Sequence, residues 1–398
     1  MISRISTATL SQSVSLMLAK QAELSQTQTQ LATGLKLNTA KDNPVGAGVA
    51  VALDRAEAQM VQFGENATLL TNRLSLEESV LTGVNDILAR LREIAVQANG
   101  GGLGLSDRRA FLPEIAELRQ ALVSAANSTD AQGRYLFGGN NDGSPPFLEL
   151  PGGIAYVGDQ GGRRIEVAPE IAIADTDAGS DVFLRIRNGN GVFAVGADAG
   201  NAGNAALRST GFVDQRLWDN ASYRVELAAG QYTVLDSGNN SIATGAYVPG
   251  QSIGFRGIQI TLEGQPEDGD AFRVGPAVNQ DIFATVDGLV AALSTPDTPN
   301  ANQALKQNRF FDSLQALAQA SDHFIDTRAS LGARLASIDR AGAEREASLL
   351  NTRTALSELR DLDFAEAISR LTRQAAALEA AQLAFTRTQS QSLFSLLR

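Results

Sequence analysis

The chain has 398 residues, a net charge of −11 and no cysteine, with 19% charged residues and a pI near 4.8. Disulfides, thiolate metal sites and thiol nucleophiles are excluded, and so acidic a chain is a poor match for nucleic acid or anionic lipid headgroups. The length exceeds what one hydrophobic core usually covers, so two or more domains are expected.

From the N-terminus, Leu10, Met17, Leu24 and Leu31 fall seven apart, with Val14, Gln21, Gln28 and Leu35 interleaved. This is an a/d seam over nearly four heptads, weakened by two glutamines. Residues 1–40 carry Arg4, Lys20, Glu23 and Lys36 as their charges, and Ser, Thr and Gln fill most of the rest. Such a helix folds poorly alone and should order against a partner. The first twenty residues lack the unbroken apolar run and A-x-A site of a cleaved signal, so any export is expected by another route. No stretch approaches 18 apolar residues without charge, so no transmembrane helix is predicted.

Asn43 followed by Pro44 reads as N-cap and N1, so one helix ends before it and another begins. The second helix is predicted to run to about Asn99, about 80 Å if straight. Leu74, Leu81, Val84, Leu88, Leu91, Ala95 and Ala98 mark its buried stripe, and Gly100-Gly101-Gly102 stops it. A third helix opens near Ser106-Asp107, with Phe111, Ile115, Leu118 and Leu122 on one face.

From about residue 129 to about 295 the chain is Gly-rich, with short alternating apolar runs such as "SDVFLRI", "SYRVELAAGQYTVLDSGNN" and "IQITLEGQPEDGDAFRV". These read as antiparallel strands, in one small module and a second one near 189–278. The stretch "NGNGVFAVGADAGNAGNAALRSTG" between them reads as loop-rich. After the Pro-punctuated linker "STPDTPNAN", Leu305, Leu314, Leu317, Phe324, Leu331, Leu335, Ile338, Leu349 and Leu356 carry a helical spacing toward residue 360. "DLDF" (361–364) offers a fresh N-cap, and Phe364, Ile368, Leu371, Ala375, Leu378, Gln382 and Phe385 form a last, charge-poor seam.

The two ends therefore mirror each other: an outer seam of roughly 35 residues, a break, then an inner helix about twice as long. The breaks at 37–44 and 360–363 would lie side by side if the termini ran antiparallel. Chain ends are normally frayed and polar, so apolar seams with little charge imply burial against other molecules.

Enzyme chemistry finds no footing. The lone histidine, His323, sits on a predicted helix without local triad partners, and none of Lys20, Lys36, Lys41 and Lys306 completes a phosphate-binding loop. "GGNNDGS" (138–144) and "PEDGD" (266–270) lack calcium-loop spacing and read as turns. No cofactor and no metal are expected.

"RIST" (4–7), "LATGLKLNTAKDNPVGAGVAVAL" (31–53) and "ALEAAQLAFTRTQSQSLFSLLR" (377–398) resemble the conserved ends of the flagellin superfamily. "GRYLFGGNNDGSPPF" (133–147), "ADTDAGSDVF" (174–183) and "IGFRGIQITLEGQPEDGDAFRV" (253–274) resemble its hook–filament junction branch, the hook-associated protein 3 family. The terminal "SLLR" is flagellin-like and departs from that branch, which keeps filament flagellin as the alternative.

The resemblance implies an α+β chain: a long antiparallel helical bundle or coiled coil built from paired N- and C-terminal helices, with inserted antiparallel β modules. The expected domains are residues 1–40 with 361–398 as a tube-lining terminal-helix domain, and 41–132 with 300–360 as a helical bundle. Residues 133–188 form a first β module, and 189–299 a second, outer one with a linker. The resemblance also implies export to the extracellular flagellum through the type III apparatus and a structural, non-enzymatic role at the hook–filament junction. The implied partners are further copies in a ring or helical lattice, flagellin, the other hook-associated junction protein, and an export chaperone at the C-terminal helical region. Leu10, Val14, Met17, Leu24, Leu31, Leu371, Leu378 and Phe385 are the expected assembly residues. Ordering these segments costs conformational entropy that they cannot offset alone, so folding and assembly should be coupled.

Overall fold

The computed structural model describes the backbone of residues 2–100 and 102–396 and the side chains of 11–100, 102–299 and 302–387. In chain order, α1 (Ile2–Thr33), α2 (Pro44–Ala98), α3 (Leu105–Arg109) and α4 (Leu112–Ala126) lead into the hairpins β1 (Phe147–Leu150) with β2 (Gly153–Tyr156) and β3 (Arg164–Ala168) with β4 (Ile171–Ala174). There follow β5 (Ile186–Arg187), β6 (Phe193–Ala197), β7 (Ala206–Phe212), β8 (Tyr223–Ala228), β9 (Gln231–Asp236) and β10 (Ser241–Ala246). Then come β11 (Ser252–Phe255), β12 (Ile258–Glu263), β13 (Asp270–Pro276) and β14 (Asn279–Gln280). The chain closes with α5 (Ile282–Ser294), α6 (Asn300–Arg360) and α7 (Phe364–Leu396). It is an α+β chain with paired helical ends and inserted antiparallel strands.

Two compact units result: Met1–Glu65 with Arg340–Arg398, and Asn66–Asp339. Helices α2 and α6 each contribute to both.

The larger unit has conventional cores. The predicted α2 stripe, Leu74, Leu81, Val84, Leu88, Leu91, Ala95 and Ala98, is buried along its whole length. On α6, Leu317, Phe324 and Leu331 are buried as well. A five-stranded sheet of order β10-β9-β8-β13-β6 and a three-stranded sheet of order β11-β12-β7 close on one core. The period of two is plain in β8, where Tyr223, Val225 and Leu227 are buried while Arg224 lies exposed. A second, aromatic core joins Phe137, Phe147, Phe183, Phe283 and Phe324, with ring centroids 5.0 to 6.4 Å apart.

The "YLFGG" stretch is the corner between α4 and the first hairpin. Leu136 and Phe137 are fully buried, and Leu136 N–H donates to the Ser128 carbonyl at 2.9 Å. Gly139 takes φ +69°, and a Cβ there would stand 2.3 Å from the Asp159 carbonyl oxygen. Glycine is therefore required at that point of the motif.

Four local expectations are corrected. The third predicted helix is two, α3 and α4, because Pro113 belongs in a first turn and restarts the helix there. "SDVFL" is not a strand but a π-helical turn, Ser180–Leu184, which buries the neighbouring side chains of Val182 and Phe183 together; a strand would put them on opposite faces. The stretch read as loop-rich between the modules holds β6 and β7, whose Phe193, Val195 and Leu207 join the sheet core. Finally, Ile282–Ser294 is helical within a region read as strands and linker. Asp281 caps it by accepting the Ala284 N–H, and Ile282, Phe283, Val286, Leu289 and Leu293 are buried on it.

Candidate assembly interface

The smaller unit is built from α1, α7 and the adjoining ends of α2 and α6. Helices α1 and α7 run antiparallel: Thr27 Oγ1 donates to Gln374 Oε1 at 2.8 Å, while Leu362 N–H donates to the Gly34 carbonyl at 2.9 Å. Along α1 the half-buried or buried positions are Met17, Lys20, Leu24, Thr27, Gln30 and Leu31; along α7 they are Ala367, Arg370, Leu371, Gln374, Leu378, Ala381 and Phe385.

The seam thus keeps one of the two predicted stripes and shifts the other by one residue. Met17, Leu24 and Leu31 face inward, but the second stripe is Lys20 and Thr27 in place of Gln21 and Gln28, which are exposed. On α7, Leu371, Leu378 and Phe385 face inward, whereas Phe364, Ile368, Ala375 and Gln382 are exposed and Gln374 and Ala381 take the shared face. The cause is the Thr27–Gln374 pair. A part-buried polar pair of this kind is satisfied in one register only. Of the expected assembly residues, Met17, Leu24, Leu31, Leu371, Leu378 and Phe385 therefore line the intrachain seam in half-buried positions, and Val14 is exposed. The Leu10 side chain lies outside the described residues.

The two breaks meet. Gly34, at φ +73°, ends α1 by donating its N–H to the Gln30 carbonyl, and its own carbonyl receives Leu362 N–H. Lys36 N–H donates to the Arg360 carbonyl at 2.7 Å, so Leu35 and Asp361 form a one-step antiparallel bridge. Lys36 Nζ adds a bond to the Glu358 carbonyl at 2.8 Å. Asp42 draws the intervening loop together: it accepts the N–H groups of Asn38 and Thr39 and the amide of Gln26, and the Thr39 N–H foremost holds its carboxyl below the usual range. Asn43 caps α2 through Gly46 N–H, and Asp363 caps α7 through Ala365 and Glu366 N–H. Beyond the joint, Arg360 pairs with Asp54 (2.7 Å) and Arg353 with Glu57 (2.7 Å), setting α2 against α6. The stretch "LATGLKLNTAKDNP" thus supplies a glycine helix end, a bridge strand, a tied loop and a new cap.

What this unit lacks is a closed core. Among its described residues the buried hydrophobic side chains are Ala50, Phe63, Ala341, Leu362 and Ala367, three of them alanine. Large apolar groups stand outward instead: Val14, Leu16 and Leu18 on α1, Val45, Val49, Val51 and Val61 on α2, Leu350 on α6, and Phe364, Ile368 and Leu383 on α7. Val45 is 77% exposed and Leu18 61%. Covering such a half-exposed side chain gains about 1 kcal/mol, so the eleven of them make a substantial drive to associate. Sequence periodicity alone overlooked Leu16, Leu18 and Leu383 because it sought one seam per helix. The available signal was simply leucines lying off that seam.

His323 Nε2 lies 3.0 Å from the Asp181 carbonyl, an ordinary main-chain contact. No group of three or more His, Asp or Glu side chains is placed to hold a metal among the described residues. No described helix is long and apolar enough to cross a membrane.

Comparison with known proteins matches both helical ends of the chain. The bacterial flagellin N-terminal helical region matches residues 5–142, and the bacterial flagellin C-terminal helical region matches 314–397. Flagellar hook-associated protein 3 of Salmonella typhimurium is 27% identical over 99% of this chain and 100% of that protein. The crystal structure of FlgL from Xanthomonas campestris is 40% identical, covering 77% of this chain and 99% of that one, with a TM-score of 0.71. The flagellar junction protein FlgL from Legionella pneumophila is 26% identical over 79% of this chain and 100% of that one, also with a TM-score of 0.71.

Proposed function

We propose a mechanism from one premise: the chain belongs to the hook-associated protein 3 family of the flagellum. It is a structural subunit of the hook–filament junction. Likeness along the full length, and not just at the flagellin-type helical ends, separates it from filament flagellin.

The subunit works by completing itself in the lattice. Its smaller unit presents a weak internal seam and outward apolar side chains, so ordering α1 and α7 is offset only when neighbours cover them. The observation that carries this is the near absence of buried hydrophobic side chains larger than alanine in that unit, Phe63 and Leu362 apart among the described residues. Contacts made head to tail between unlike faces propagate along a helix of subunits and do not close in pairs. The joint at Gly34–Lys36 and Arg360–Leu362 fixes how α1 and α7 leave α2 and α6, so each added copy offers the next the same face.

The partners that suit this role are other copies of the chain, flagellin on one side and the second hook-associated junction protein on the other. Before assembly, a dedicated export chaperone at the C-terminal helical region would shield α7. Export through the flagellar type III route delivers the chain to the extracellular flagellum. The bulk of the chain is divided between assembly helices and close-packed β cores, which supports a structural and not an enzymatic role.

The test is genetic and microscopic. Deleting the gene should leave hooks in place while filaments are shed into the medium. Purified chain added to hook ends should stop after a short ring; growth into long filaments would identify a filament flagellin instead.

A further inference from the structure

Beneath the "YLFGG" corner lies a charged cluster that assembly does not use. Glu77, on α2, is fully buried. Its Oε1 accepts the Asp177 N–H at 3.3 Å, and its Oε2 has no hydrogen-bond partner among the described residues. The surrounding charges come from every element packed around it. Arg73, one turn earlier on α2, pairs with Asp130 after α4 and lies 3.0 Å from Asp175 after β4. Arg163 pairs with Asp175 (2.9 Å) and approaches Asp142, as does Arg134, which also pairs with Asp130. From α6, Arg334 pairs with Asp177 at 2.6 Å, while Arg328 lies 3.7 Å from Glu78.

The signs decide the state of Glu77. Arg73, Arg134, Arg163 and Arg334 balance Asp130, Asp142, Asp175 and Asp177, and Arg328 balances Glu78. An ionised Glu77 would therefore be one buried negative charge in excess, beside two aspartates, with one oxygen unpaired. Burying an uncompensated carboxylate is far costlier than burying a carboxylic acid.

We propose that this corner is a pH-sensitive latch: it is closed while Glu77 carries its proton, and it loosens the 129–177 segment from α2 and α6 when Glu77 ionises. Burial first, and then the Asp177 charge, push the Glu77 carboxyl well above its ordinary 4.5. The linkage sign follows. Unfolded, the carboxyl loses its proton near pH 4.5, while folded it keeps it to higher pH. The stability of this unit is therefore fully present below pH 4.5, falls as pH rises toward the folded value, and is flat above it.

The experiment compares the full-length chain with E77Q, which keeps the shape and the neutral charge. Urea unfolding followed through Trp218, packed half-buried against the sheet core of the same unit, would be combined with hydrogen-exchange protection of residues 129–137 and 175–183 from pH 4 to pH 9. Relative to E77Q, the unfolding constant of the wild type should rise by up to about tenfold per pH unit within the window, and the two should converge at the acid end. Calorimetry of the wild type and of E77Q, in buffers of different ionisation enthalpy, should show that the wild type releases one more proton on unfolding within that pH window. Parallel pH profiles for the two chains would overturn the proposal. So would an E77Q chain that is less stable at every pH, since Glu77 would then be an ionised partner of Arg334.

Discussion

The two units differ in where their apolar side chains go. In Asn66–Asp339, many leucines, isoleucines and phenylalanines are packed to zero or near-zero exposure around two sheets, a helical stripe and an aromatic cluster, while Leu69, Leu217 and Ile325 stand exposed. In Met1–Glu65 with Arg340–Arg398, Leu16, Leu18, Leu350, Phe364, Ile368 and Leu383 stand more than half in solvent, Leu24, Leu31, Leu371, Leu378 and Phe385 are half-buried, and the buried side chains among the described residues are Thr27, Gln30, Ala50, Phe63, Ala341, Leu362 and Ala367. One chain thus carries a part that closes on itself and a part left open for neighbours. The first follows the ordinary rule that burial offsets conformational entropy within one molecule; in the second, under the proposed mechanism, the same balance would be met by several molecules together.

Substitutions should separate the units cleanly. Leu24→Asp places a charge on the shared face of α1 and α7, and incorporation into the junction should fall by about a hundredfold or more. The circular dichroism and hydrogen-exchange protection of the β strands should be unchanged; normal incorporation would remove the seam from the mechanism. Gly139→Ala acts on the other unit. With φ at +69° and 2.3 Å to a carbonyl oxygen, it should cost about 2–4 kcal/mol of that unit's stability in urea titration. A neutral result there would mean that the corner is soft. Thr27→Val removes one hydroxyl and leaves Gln374 without its partner, so pairing of α1 with α7 should weaken by about 1 kcal/mol. That loss would appear as a small rise in the concentration needed for assembly.

Several of the helix boundaries were legible in the residues. Asn43-Pro44, Asp363 and Gly100 marked helix ends correctly because capping chemistry is local and names its own residue types. The α2 stripe was legible because Leu74 to Ala98 repeats over seven turns, and the meeting of the two breaks followed from the mirrored ends. The seam offset was not legible. Thr27 and Gln28 are both polar in sequence, and the choice between them depends on Gln374, some 347 positions away from Thr27. The same holds for Ser180–Leu184, where the alternation of "SDVFLRI" promised a strand until Phe137, Phe147 and Phe283 drew Phe183 into a shared cluster. For α5, a continuous apolar run of that length does not distinguish a buried helix from buried strands. The outward leucines of α1 were visible as letters, but a rule that assigns each helix one apolar face leaves no place for a second.

Amide hydrogen exchange on the dilute, full-length monomer tests the central contrast most directly. Residues 11–33 of α1 and 370–387 of α7 should exchange within about tenfold of an unprotected chain, while α2 from Leu70 to Ala98 and strands β8, β12 and β13 stay strongly protected. On assembly, the first set should become protected as well. If α1 and α7 in the isolated monomer are already as protected as the β core, the open unit is self-sufficient and completion by neighbours is not what builds the junction.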